Sequence, residues 1–415
     1  MSRRLALIHI RGGAVRGWRD MLRQTRWPRL ARLAAAGALV ELEPFSFQGA
    51  AASVSVATGC LPDAHGVLLD EEIRPDGLAL RPASCERRRR STVWEIAHRH
   101  GLAAAAVGWP ATHPARPGDG VIVTDRFAVH NSRRADSWPM DDGCVQPESM
   151  RAELSELRLS ALDITGEQIG ALAPGCAGVD QGREDVVVQL GAALARCASD
   201  HAVGTFLAER FRPDLFSVHF SLADVAARLR AEWRPGPGSD PHALDDAPYD
   251  ALRFVDLAIG RYMHLCGPEA TYLISADATA GEIGEGFLIG HGPGVRAGEA
   301  GRASLIDVAP TALALLGIEQ AWDIDGCAIE AVLDLPAPSG QVWTHEPPPP
   351  YVGATSGAET ERHKAMLEDL RALGFGPPAL RAAEGIAKHR TALAQSAVLA
   401  SLARSHWRER QRSRT

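Results

Sequence analysis

Short apolar runs alternate with longer segments of helical periodicity along most of the chain. The apolar runs have the length of strands, and the first of them, at 5–10, is closed by Gly12 and Gly13. The longer segments carry apolar residues three or four positions apart, which is typical of helices with one buried face. The predicted strands are 5–10, 38–43, 104–108, 120–124, 214–220, 270–275 and 286–290. The predicted helices are 27–36, 91–100, 149–157, 185–210, 249–265 and 307–316. This alternation predicts an α/β fold with helices on both faces of a sheet.

Two stretches interrupt the alternation and indicate domain boundaries. Residues 126–184 are polar and punctuated by proline and glycine, which indicates an inserted cap. Residues 337–357, APSGQVWTHEPPPPYVGATSG, contain a proline run that cannot join a sheet and is typical of a semi-rigid linker. We therefore predict a main domain at 1–336 that includes the cap, a linker at 337–360 and a helical tail at 361–415, basic at its end.

The tail carries apolar residues at helical spacing between 379 and 409, which predicts two short helices. A unit of this size is not stable alone, so its apolar face must be covered. We expect the tail to fold back onto its own domain. The alternative is self-association or a protein partner that covers the same face.

Composition and charge exclude several classes of protein. The formal net charge is −7 and the isoelectric point is about 6.1, which argues against nucleic acid as a partner. The basic run ERRRR at 86–90 is interpreted as solvated surface, with an acidic partner as the alternative. Seven cysteines without a CxxC pair favour a reducing compartment, and no segment is long and apolar enough to span a membrane. We expect a soluble cytoplasmic protein whose first apolar run is a core strand.

Four motifs, in this order and spacing, resemble the alkaline phosphatase superfamily. They are WPRLARLAAAGAL (27–39), ATGCLPDAHGV (57–67), VWEIAHRHGLAAAAVGWPATHPARP (93–117) and GPGVRAGEAGRASLIDVAPTALALLGIEQAWDIDG (292–326). Within that superfamily the chain looks like the bacterial type I phosphodiesterase/nucleotide pyrophosphatase-like proteins, over roughly residues 5–375. The resemblance implies a three-layer α/β/α sandwich. It also implies hydrolysis of phosphoryl or related esters by a Thr or Ser alkoxide at two metal ions.

Two positions that the resemblance assigns to this chemistry carry residues that cannot perform it. The first metal-binding Asp of the family ends the first strand in an Asp-Gly pair, and this chain has Arg11 there. A guanidinium stays protonated and cannot ligate a metal. The nucleophile lies about nine residues before the Thr-Gly of the second motif, which places it at Gly49. Ser46, Ser53 or Ser55 is the alternative nucleophile if the loop is shifted.

The remaining metal positions are only half retained. An Asp-His pair four residues apart becomes Asp224 and Arg228, which we expect to form an ion pair on one helix. The Ser-Asp-His-Gly motif keeps Asp277, but Ala278 replaces its histidine. The last family histidine is missing from GEIGEGF at 281–287. His291 is interpreted as a loop histidine, with a displaced metal ligand as the alternative.

Two functional hypotheses follow. The first is a non-catalytic protein with no cofactor that binds a small anionic ligand or a protein partner. In it, Arg11 and Arg228 fill the degenerate site with ion pairs or hold an anion. The second is a hydrolase with a rebuilt site that uses Asp224, Asp277 and one divalent ion, Zn²⁺, Mn²⁺ or Mg²⁺. His9, on the first strand, is interpreted as a core residue with satisfied hydrogen bonds.

Overall fold

A computed structural model describes most of the chain, except for its first residues, several loops and most of the C-terminal tail. The described residues are 4–74, 78–118, 120–129, 138–178, 186–234, 240–278, 284–334, 336–338, 340–346 and, in the tail, 388–389, 392–397, 399, 401 and 404–405. The predicted linker after 346 and the tail up to 387 therefore lie outside the described residues.

The strands and helices alternate as the sequence predicts. The strands are β1 (Arg4–Ala14), β2 (Ala38–Leu42), β3 (Glu71–Ile73), β4 (Leu80–Pro82), β5 (Ala104–Val107), β6 (Val121–Val123), β7 (Val145–Gln146), β8 (Leu215–Phe220), β9 (Ala270–Ala278), β10 (Gly286–His291), β11 (Gly298–Ala303), β12 (Gln320–Ala321) and β13 (Gln341–Val342). The helices are α1 (Trp18–Arg23), α2 (Pro28–Ala36), α3 (Ala50–Thr58), α4 (Pro62–His65), α5 (Val93–Arg99), α6 (Arg151–Ser155), α7 (Gly166–Leu172), α8 (Val186–Phe206), α9 (Leu222–Glu232), α10 (Ala247–Cys266) and α11 (Val308–Leu315).

Nine of these strands form one sheet in the order β11-β2-β10-β9-β1-β8-β5-β6-β7. The neighbouring strands β9, β1, β8, β5 and β6 are parallel, whereas β10 runs antiparallel to β9 and β2. A parallel sheet needs cover on both faces, and the central strands are accordingly buried along most of their length. Along β1, Ile8 and Ile10 face one apolar core and Leu5 and Leu7 face the other.

Helices cover both faces, which confirms the three-layer α/β/α sandwich. Buried side chains of α1, α2, α8, α9 and α10 belong to the core on one side of the sheet. Those of α3, α5 and α11 belong to the core on the other side. Among the described helices, none combines the length and hydropathy that a membrane span requires.

The carboxyl ends of β1, β8 and β9 meet at one edge of the sheet. Gly12, near the end of β1, has a positive φ of 67°, and a β-carbon there would lie 2.8 Å from the Asp224 Cα. Only glycine lets the first turn of α9 approach β1 this closely. The fold therefore brings Asp224 directly beside the end of the first strand.

The run at 86–90 is not uniformly solvated, contrary to the sequence interpretation. Arg88 is buried and forms an ion pair with Glu95, which is also buried. Glu95 is held in turn by a capping box with Thr92 at the start of α5. Arg90 pairs with Asp323 at 2.6 Å. Arg88 therefore stabilises the start of α5 through Glu95, because a buried arginine needs a carboxylate partner.

The predicted cap and tail are described only in part. Within the cap, β7 pairs with β6 and extends the main sheet, while Leu154 and Leu172 join a core beneath it. In the tail, Arg404 Nε and Nη2 donate to both carboxylate oxygens of Asp63 at 2.9 and 3.0 Å. Arg404 also pairs with Asp325. The described part of the tail thus contacts its own domain, and the domain boundaries stay a prediction.

Candidate functional site

The fold brings four of the predicted site residues to one place. Arg11 lies near the end of β1, Asp224 in the first turn of α9 after β8, and Asp277 near the end of β9. Gly49 precedes the first residue of α3. These elements converge because the parallel strands end at the same edge of the sheet.

Arg11 is the centre of this cluster. Its side chain is only 18% exposed, and its Nε lies 2.9 Å from Asp224 Oδ2. Its Nη2 donates to Asp70 Oδ2 at 3.0 Å. Burial alone would lower the pKa of Arg11, but the charges of Asp224 and Asp70 outweigh it and raise the pKa. The guanidinium therefore stays charged and is neutralised by carboxylates of its own chain.

Asp70 occupies the space beside Gly49. The Ala50 N–H, at the start of α3, donates to Asp70 Oδ1 at 2.7 Å. A β-carbon at Gly49 would lie 2.6 Å from that same oxygen and 3.0 Å from Arg11 Nη2. A carboxylate at a helix N-terminus is favoured by the free N–H groups and the helix dipole. The position that the resemblance assigns to a nucleophile is therefore lined by an internal carboxylate.

Asp277 lies where burial favours the protonated form of its carboxyl group. Burial raises the pKa of Asp277 to about 7, and the charge of Asp224 adds to the rise. The Gly12 N–H donates to Asp277 Oδ1 at 2.6 Å, which partly opposes that shift. Asp277 is thus largely neutral below pH 7.

His9 lies next to Asp277, and only one of its two ring nitrogens has a hydrogen-bond partner among the described residues. Its Nδ1 is hydrogen bonded to Ser275 Oγ at 3.0 Å, whereas its buried Nε2 has no hydrogen-bond partner among the described residues. Nε2 is 3.9 Å from Asp277 Oδ1, and burial lowers the pKa of His9 to about 3. The pair is therefore neutral on both sides, and the sequence interpretation of a satisfied core histidine is half right.

The alternative serines do not supply an exposed nucleophile at α3. Ser53 is buried, and its Oγ is hydrogen bonded to Gly49 O and to His219 Nε2. Ser55 is also buried, 2.9 Å from His65 Nε2. Burial lowers the pKa of His219 well below its ordinary value. Both serines are core hydrogen-bonding residues, and Ser46 lies in an exposed loop segment.

Arg228 and His291 are not part of the cluster. Arg228 is exposed and pairs at 3.8 Å with Glu232, so the predicted pair with Asp224 is replaced by Asp224–Arg11. His291 pairs in register with Tyr272, because β10 runs antiparallel to β9. Asp277 is five positions beyond Tyr272 along β9, a distance of about 16 Å. His291 is therefore at the opposite edge of the sheet, and the displaced-ligand alternative is wrong.

The residues at the cluster do not fit the divalent ions that the resemblance implies. Where the structure describes the chain, no group of three His, Cys, Asp or Glu side chains could hold a metal ion. The retained acids have other partners, namely the guanidinium of Arg11 for Asp224 and the Gly12 N–H for Asp277. Sequence reasoning found this cluster except for Asp70, which lies 20 residues beyond Ala50 and carries no motif.

Three solved structures of known proteins superpose on this chain. A protein assigned as a sulfatase from Bacteroides thetaiotaomicron superposes with a TM-score of 0.50 at 10% identity, covering 79% of this chain and 74% of that one. Human ectonucleotide pyrophosphatase/phosphodiesterase 5 gives 0.41 at 10% identity, with coverage of 76% and 95%. A phosphonate monoester hydrolase from Silicibacter pomeroyi gives 0.42 at 15% identity, with coverage of 82% and 78%. At its identity, the sulfatase match shows a common fold of the alkaline phosphatase type.

No curated protein matches the chain in sequence. The sequence model of one family, type I phosphodiesterase/nucleotide pyrophosphatase, matches residues 14–278 of the chain. That match runs from the end of β1 to the end of β9 and includes Gly49, Asp70, Asp224 and Asp277. Because it spans more than half of the chain, the protein belongs to the type I phosphodiesterase/nucleotide pyrophosphatase family.

Proposed function

We propose that this chain is a catalytically inactive member of its family with a binding or regulatory role. One observation carries the proposal: the Arg11 guanidinium lies among carboxylates at the position where the resemblance implies a metal ligand. A fixed positive charge at this point repels a divalent ion and already satisfies Asp224. The chain therefore keeps the scaffold of a hydrolase without its electrophilic centre.

The second support is the lack of a nucleophile at Gly49. Ester hydrolysis of this type needs an activated hydroxyl group in line with the scissile bond. Gly49 has no side chain, and the Asp70 carboxylate occupies the adjacent space and repels an incoming anionic ester. Ser53, one turn along α3, is buried and hydrogen bonded to His219. We infer that neither step of the family chemistry is available.

A second candidate function is a single-metal hydrolase that uses Asp224 and Asp277. It is favoured by the proximity of the two carboxyl groups, since the charge of Asp224 raises the pKa of Asp277. A divalent ion between them would have to displace Arg11. The two candidates therefore differ in whether the purified protein carries and uses a metal.

Hydrolysis of nitrophenyl phosphate, bis(nitrophenyl) phosphate and nitrophenyl sulfate with added Zn²⁺, Mn²⁺ or Mg²⁺ decides between them. We expect rates equal to those of buffer with metal alone, and less than about a tenth of a metal ion per chain by elemental analysis. Metal-dependent turnover that disappears in Asp224→Asn would instead establish the hydrolase. The matched control is Asp245→Asn, an exposed acid outside the cluster.

We further propose a cytoplasmic location, because all seven cysteines are free thiols and five of them are buried.

For the tail we propose docking on its own domain, supported by the contacts of Arg404 with Asp63 and Asp325. A dimer held by the tail remains the competing hypothesis, and solution mass measured with and without residues after 357 separates the two.

A further inference from the structure

Three arginines lie close together at the opposite end of the central strands. A pocket of about 660 Å³ is formed by the start of α2, the end of α10, the start of β9 and the end of β10. Its volume falls within the range of small-molecule sites, roughly 300–1,000 Å³. Because His291 and Tyr272 line it, the pocket is separated from the Arg11 cluster by most of the length of β9.

The described lining of this pocket is cationic and contains no acidic residue. Arg29, Arg32 and Arg261 carry its positive charge, and His264 and His291 also line it. The chain as a whole has a net charge of −7, so its overall composition does not account for this concentration. Oriented positive charge without carboxylates is the arrangement that binds anions.

Only one of the three guanidinium groups is balanced by a nearby acid. Arg29 Nη1 lies 3.5 Å from Asp256 Oδ2, and the other oxygen of Asp256 accepts the N–H groups of Arg29 and Leu30. Arg32 and Arg261 are exposed and form no ion pair with any acidic residue that the structure describes. Two guanidinium groups are thus available to an anion with two or more negative charges.

The same pocket has an apolar wall. Leu257 is 59% exposed, and it lies with Pro28 and Pro268 in the lining. His291 Nδ1 is buried without a hydrogen-bond partner among the described residues. A proton on that atom would be an unsatisfied donor, which favours the tautomer with the proton on Nε2. The pocket therefore offers guanidinium donors beside an apolar surface.

We propose that this pocket binds a small organic phosphate, with its phosphate groups on Arg32 and Arg261 and an apolar or ring-shaped body against Leu257. This inference rests on the proposed binding function and assigns it to the pocket on α2 and α10. Planar guanidinium groups bind phosphate oxygens in pairs, which gives both affinity and orientation.

Calorimetry on the full chain with two probes tests the assignment. Inorganic pyrophosphate tests the charges alone, and 1-naphthyl phosphate tests charge and apolar wall together. We expect both to bind at low salt. The double variant Arg32→Gln/Arg261→Gln should weaken both by about tenfold or more. Leu257→Ser should weaken naphthyl phosphate and leave pyrophosphate unchanged.

The matched control is Arg253→Gln, an exposed arginine on the same helix that pairs with Asp250 at 3.8 Å. It should leave both affinities unchanged. Undetectable binding at about 1 mM of either probe, or equal binding by the double variant and the wild type, overturns the proposal. So does an equal loss in Arg253→Gln, because binding would then follow net charge. Release of naphthol reports hydrolysis and would contradict only the proposed inactivity.

Discussion

Arginine side chains lie at both ends of the central strands, but they differ in how far nearby acids neutralise their charge. At the carboxyl ends, Arg11 is mostly buried and held between Asp224 and Asp70. At the other end, Arg32 and Arg261 are exposed in a pocket with no acidic lining residue among those described. The same residue type therefore balances internal charge in one region and leaves charge for a ligand in the other. Position relative to the acids of the chain, more than residue identity, sets the role.

Loss of Arg11 has the largest expected effect on stability, and it tests the difference between the two regions most directly. Arg11→Ala leaves the buried Asp224 without its countercharge, which costs about 3–5 kcal/mol in unfolding free energy. Arg32→Ala removes an arginine that has no described ion pair, and should change the unfolding free energy by less than about 0.5 kcal/mol. Urea denaturation of the two variants gives both values. Equal losses would mean that Arg11 does not balance the cluster.

The pH dependence of Asp277 sharpens the comparison from the carboxylate side. Its pKa is about 7 in the folded chain against an ordinary value of 3.8. Between these values only the folded chain holds the proton, so the stability contributed by Asp277 is present at low pH and is lost as pH rises through about 7. Asparagine imitates the protonated group. The unfolding free energy of Asp277→Asn relative to wild type should therefore rise by about 2 kcal/mol between about pH 5 and 8.

Two other buried acids titrate in the same direction, since burial raises the pKa of Asp200 to about 7 and of Asp125 to about 6. Comparing variant with wild type cancels their contribution. Asp20→Asn, an acid on α1 whose side chain is two-thirds exposed, is the control and should show a much smaller change. If the difference in unfolding free energy between Asp277→Asn and wild type does not change with pH, the carboxyl group is ionised throughout this range.

The smallest effect concerns Arg404, which joins the tail to the main domain. Its side chain is 18% exposed, as that of Arg11 is, and it binds both oxygens of Asp63 as well as Asp325. Asp63 is itself 36% exposed, so water replaces part of the pair when the arginine is lost. We expect Arg404→Ala to lower the unfolding free energy by about 1 kcal/mol. Arg228→Ala, which removes an exposed pair with Glu232, is the control. If truncation after residue 357 leaves the melting temperature unchanged, the tail does not stabilise the domain.

The sequence predicted the central strands well because most of their residues are apolar. The buried runs of β1, β8 and β9 stand out against the polar turns. It did not predict α3, whose nine residues are all buried. A helix without a polar face has no period to detect.

The site could be predicted only in part, because local patterns fix neither the direction of a strand nor a contact made through a loop. Arg11, Asp224 and Asp277 follow strands and could be placed, whereas Asp70 reaches Ala50 through a loop that no local pattern specifies. For His291 the sequence favours a loop histidine and keeps a displaced ligand as the alternative. Once β10 is antiparallel to β9, its last residue must lie far from Asp277.

Gly49 also limits which mutational paths remain open to this protein. A serine or threonine there would have to adopt a φ of 68°, and its β-carbon would lie 2.6 Å from the Asp70 carboxylate. Removing Asp70 first would leave the Ala50 N–H and one edge of Arg11 without their acceptor. Each single step is therefore unfavourable before the other is taken. A hydroxyl group at this position therefore requires correlated changes at Gly49 and Asp70.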